Sequence, residues 1–126
     1  MLVTSLVLAG LAALVHVYIF VLESLRWERP STRAVFGTTA ETAAITRPLA
    51  YNQGFYNLFL AVGTAIGIAL ADANRDASVA LVAMGTGSML AAAIVLVTSD
   101  RSKARAAAVQ GLLPLLALVA LAVHAL

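Results

Sequence analysis

The sequence predicts an all-α, polytopic membrane protein: a four-helix bundle with a short amphipathic helix in its first cytoplasmic loop. Three observations carry this expectation. Of 126 residues, 62% are in the hydrophobic class and only 11% are charged, against about 25% charged in ordinary soluble domains. Apolar runs occupy residues 3–25, 50–71, 77–98 and 105–126, each near the roughly 20 residues that cross a hydrocarbon core of about 30 Å. Seven of the eight basic residues (Arg26, Arg29, Arg33, Arg47, Arg101, Lys103 and Arg105) fall between the first and second or the third and fourth runs. The positive-inside rule makes 26–49 and 99–104 the cytoplasmic loops of a single membrane domain, 1–126, with both termini outside.

No Lys or Arg precedes the first run, which exceeds the 7–15 residues of a signal-peptide apolar region, so it reads as a retained helix. Trp27 follows at the depth of an interfacial anchor, and Pro30 closes the segment. In the first loop, Thr38-Thr39-Ala40-Glu41 has capping-box spacing. The helical stretch after it is expected to stop by Arg47, because Pro48 disfavours helix in the residue before it and suits the first turn of the next helix. Such a piece lies on the membrane with Val35, Phe36 and Ile45 turned toward lipid or the helix ends.

The tight polar turn around Asp72–Asp76 makes the second and third helices antiparallel neighbours, with Asp76 or Ser78 as cap. Small residues at four-residue spacing (Ala9/Ala13, Gly63/Gly67, Gly87/Ala91) mark faces where helices approach closely, within one chain rather than across a dimer. Self-association is left open.

The absence of cysteine excludes disulfides, thiolate metal sites and thiol catalysis. Two histidines at opposite ends and one nearby glutamate fall short of three convergent metal ligands, so no metal or cofactor is expected. Basic residues confined to short juxtamembrane loops suit anionic lipid heads, not nucleic acid.

Polar residues inside the apolar runs are costly and therefore informative. At 100° per residue Ser5, Ala9, Ala12, His16 and Glu23 share a stripe about 60° wide on the first helix. On the second, Gln53, Asn57, Leu60 and Thr64 share a face, flanked by Asn52 and Tyr56, and the depths match: Asn57 with His16, Asn52 and Gln53 with Glu23. Gln110 lies between those levels on the fourth helix, where Pro114 frees its carbonyl. The expected site is thus a polar pocket in the cytoplasmic half. His16 and Glu23 are the acid–base candidates there, and Asn52, Gln53, Tyr56, Asn57, Gln110 and Trp27 the binding candidates. Each has a plainer reading: Glu23 paired with Arg26, His16 bonded to Asn57, the amides as interhelical glue, and the tyrosines and Trp27 as interfacial anchors.

With His16-Val-Tyr-Ile-Phe-Val-Leu-Glu23, Trp27, Val35-Phe36-Gly37 and Asn52-Gln53-Gly54-Phe55-Tyr56-Asn57, the chain resembles a bacterial family of small four-helix membrane proteins, domain of unknown function 1304. The resemblance covers nearly the whole chain and implies the fold and a bacterial inner-membrane location, with no activity or catalytic residues. The residues themselves suggest a protein that binds a lipophilic small molecule from the inner leaflet, with acid–base chemistry such as isomerisation or epoxide opening. The alternatives are a proton-coupled exporter and an accessory subunit of a membrane complex.

Overall fold

The computed structural model describes residues 1–126, and every regular element is helical. Helix α1 spans Leu2–Phe20 and runs on into a π-helical turn, Val21–Leu25. Helix α2 is short, Pro30–Phe36; α3 spans Ala40–Ala69, α4 Arg75–Ser99 and α5 Ala104–Ala125. Helix α1 packs on α3 and α5, and α4 packs on the same two from the other side. Three segments, Leu2–Leu25, Arg75–Ser99 and Arg101–Ala125, are long and apolar enough to cross a membrane. Helix α3 does not join them, because Asn52, Gln53 and Asn57 interrupt its apolar run.

The interior is built from small side chains. Ten of the fifteen buried apolar residues are alanine. Gly67 and Gly111 sit where an added Cβ would come within 2.9 Å of Leu81 and 2.8 Å of Ala93. Such close approach replaces the bulk of a soluble core with backbone-to-backbone packing. Gly63 and Gly87 would meet nothing within 4 Å, so of the expected small-residue pairs the contacts run through Ala9, Ala13 and Gly67 only. Ser5 Oγ donates to Ala117 O at 2.9 Å, joining α1 to α5. Ala9, Val82, Ala117 and Leu121 form the core cluster around that contact.

Several boundaries differ from the sequence reading. Helix α3 is continuous through Pro48, so the expected break at Arg47 is not made. Proline removes one backbone donor, and tertiary contacts hold the helix over it: Trp27 Nε1 donates to Thr46 Oγ1 at 3.2 Å, and Arg47 pairs with Glu28 at 3.4 Å. The amphipathic piece of the first loop is α2, which Pro30 opens at its first turn instead of merely ending α1. Gly37, at φ +68°, closes it in the left-handed conformation a Cβ disfavours. The cap of α3 is Thr39, accepting from Thr42 N, one residue beyond the capping-box register. Helix α4 is capped by Asn74, not Asp76 or Ser78, because only Asn74 precedes the first helical turn and can accept from Ala77 N.

Between α4 and α5, Asp100 Oδ1 accepts from the hydroxyl and amide of Ser102 at 2.6 and 3.0 Å. That hydroxyl, then the amide, holds the Asp100 carboxyl below its ordinary range. The cap therefore contributes above the ordinary carboxylate pKa and is lost as pH falls through the lowered one. Lys103 Nζ donates to Phe36 O at 2.7 Å, tying this turn to α2. Both basic loops thus meet at one end of the molecule, while Arg75 contacts His124 at the other.

Candidate functional site

The stripe expected on the first helix is buried throughout: Ser5, Ala9, Ala12, His16 and Glu23 all lie inside. A carbonyl can only accept, so the 2.9 Å contact between His16 Nδ1 and Ala12 O places a proton on Nδ1. This bond within α1 fixes the ring, and Asn57 is not its partner. Glu23, 5% exposed, sits in the π-helical turn that ends α1 and accepts from Asn57 Nδ2 at 2.9 Å. It forms no ion pair with Arg26; the one ion pair of the chain is Arg47–Glu28.

The π-helical turn seats against α3 where Gly54 removes a side chain. Ser24 N lies 3.0 Å from the position of a Cβ on Gly54, and Ser24 Oγ donates to Tyr51 O at 2.8 Å. One residue before Ser24 and three after Gly54, the helices bring Glu23 and Asn57 together. Phe20 packs edge-on against Phe55, with centroids 5.1 Å apart.

Asn57 is the only expected binding residue of α3 that faces inward. Asn52, Gln53 and Tyr56 are exposed, and the structure does not gather them around His16 and Glu23. The buried face of α3 is Ala50, Gly54, Ala61, Thr64 and Gly67. It is rotated by about 50° from the polar face read in the sequence, enough to retain Asn57 and turn Gln53 outward. Trp27 lines a hollow of about 280 Å³ with Ser24, Arg26 and Arg47, and packs against Phe36 in a tilted arrangement with ring centroids 5.0 Å apart. No three His, Asp or Glu side chains converge.

A larger groove of about 740 Å³ opens between α1, α2 and the start of α5. Gln110, expected as a binding residue, lines it, together with Val15, Ile19 and Leu22 of α1, Phe36 of α2 and Val109 of α5. Sequence reasoning missed it because its walls are far apart in the chain. The available signal is Lys103 and Arg105 at the mouth of α5, whose sequence context points to topology and lipid heads and not to a groove. Neither His16 nor Glu23 lines the groove or the smaller hollow. On α1 the groove residues lie about a quarter turn from the His16–Glu23 stripe.

Fold and site together define a small all-α protein with three membrane-length helices, a hydrogen-bonded interior carboxylate and an apolar side groove. The family model described as "Protein of unknown function (DUF1304)" matches residues 10–122, and the chain belongs to that family. No curated protein and no solved structure matches it.

Proposed function

We propose that the chain is a bacterial inner-membrane protein whose four long helices span the bilayer as a bundle, and that it binds a lipophilic small molecule in the groove between α1, α2 and α5. Helix α3, the least apolar of the four, crosses with its partners because it packs along both α1 and α4. The two basic loops share one end of the molecule, so the positive-inside rule puts that end in the cytoplasm and both termini opposite. The chain has no cysteine, which makes topology easy to measure. A thiol placed by Ala73→Cys will react with a membrane-impermeant maleimide added outside intact cells, and one placed by Ser31→Cys will react only after permeabilisation. The reverse pattern, or equal labelling, would overturn the orientation.

The groove carries the functional reading: about 740 Å³, mostly apolar walls and a few polar groups, within the roughly 300–1,000 Å³ of small-molecule sites. Because His16 and Glu23 face a different direction on α1, the reading is binding and not turnover. Ala106 lines the groove, and Ala106→Phe fills part of it. Mass spectrometry of organic extracts will find a lipophilic molecule retained in near-stoichiometric amount by the purified wild type and depleted in Ala106→Phe. Identical extracts containing only bulk lipid would sink the proposal.

A further inference from the structure

The groove is polarised along its length. Its floor on α1 runs from Val15 through Ile19 to Leu22, about 10 Å at the helical rise. At its mouth stand Lys103 and Arg105 beside Ser102, and no carboxylate lines it. Neither cation forms an ion pair within the chain, where the one ion pair is Arg47–Glu28, and the nearest acid to Lys103, Asp100, acts on it through space while turned to Ser102. Lys103 uses one ammonium donor on Phe36 O, which leaves two. Gly37 lies beside it: a Cβ there would be 3.8 Å from Lys103 Nζ, an ordinary contact distance.

Two cations without an ion-pair partner at the end of an apolar trough complement an anion at the end of an apolar body. We infer that the groove takes a single-chain amphiphile with an anionic carboxylate or phosphate head, the head on Lys103 and Arg105 and the chain along Val15, Ile19 and Leu22. This rests on the reading of the groove as the binding site and adds the class of ligand. Displacement by phosphatidylglycerol separates this occupant from a two-chain phospholipid.

Trp27, the chain's one tryptophan, packs against groove residue Phe36 and reports on the head end. In phosphatidylcholine nanodiscs, 2-bromododecanoate will quench Trp27 saturably, and its uncharged methyl ester will not. Dodecyl phosphate, which carries no bromine, will relieve the quenching by displacement. Arg105→Gln, which removes no intramolecular bond, will weaken binding about tenfold and the double variant Lys103→Gln/Arg105→Gln about a hundredfold. Lys103→Arg will stay close to wild type. Equal saturable quenching by acid and ester would overturn the anionic head while leaving the lipophilic groove standing. Linear, unsaturable quenching by both would overturn the groove reading itself. Relief of quenching by a few mole per cent of phosphatidylglycerol would replace the single-chain occupant with a bilayer lipid.

Discussion

Asn57→Leu will destabilise the folded chain by about 2–3 kcal/mol, because it leaves the interior carboxylate of Glu23 without its hydrogen-bond donor. Glu23→Gln, which replaces the carboxyl group by an amide of the same shape, will cost little on its own and will soften the effect of Asn57→Leu. A double-mutant cycle, read by reversible unfolding in mixed micelles, should return a coupling of at least about 1 kcal/mol. Strict additivity of the two changes would mean that the 2.9 Å contact contributes nothing to folding.

The second large effect concerns Gly54. Gly54→Val will cost about 3 kcal/mol or more, since its Cβ would come within 3.0 Å of Ser24 N and 3.1 Å of Ser24 Cβ and collide with Ser24 Oγ. Backbone cannot give way as a side-chain tip can, so α1 and α3 must separate, breaking the Ser24–Tyr51 and Glu23–Asn57 bonds with them. Gly63→Ala and Gly87→Ala provide the contrast: each has open space within 4 Å, and alanine in a helix is favoured over glycine by up to about 1 kcal/mol. Both should be neutral or stabilising in the same unfolding assay. A mild Gly54→Val would show that the helices tolerate a wider spacing there.

These two positions also mark what the sequence could and could not reveal. Along α1 the 3.6-residue period identified the buried stripe from Ser5 to Glu23 correctly, because that helix has small residues on one side and large apolar ones on the other. On α3 the same periodicity points the large polar residues inward, whereas the inward face is the small one. Near the basic end, exposed Asn52, Gln53 and Tyr56 need no interior partner. Gly54, lying between Gln53 and Phe55, was the residue that could have set the rotation. Pro48 misled for a related reason: its local preference is real, and contacts from Trp27 and Glu28, which adjoin in space but not in sequence, outweigh it. The groove was the least legible feature, since periodicity says which face of a helix is covered and not which distant element covers it.

The alanine-rich interior reverses the usual direction of mutational risk. In an ordinary core the damaging change carves a void out of Leu or Phe, but here ten of the fifteen buried apolar positions have only a methyl group to lose. Nearly every random substitution inside this chain adds atoms. Tolerance should therefore follow side-chain volume more closely than polarity, with serine accepted where leucine is not.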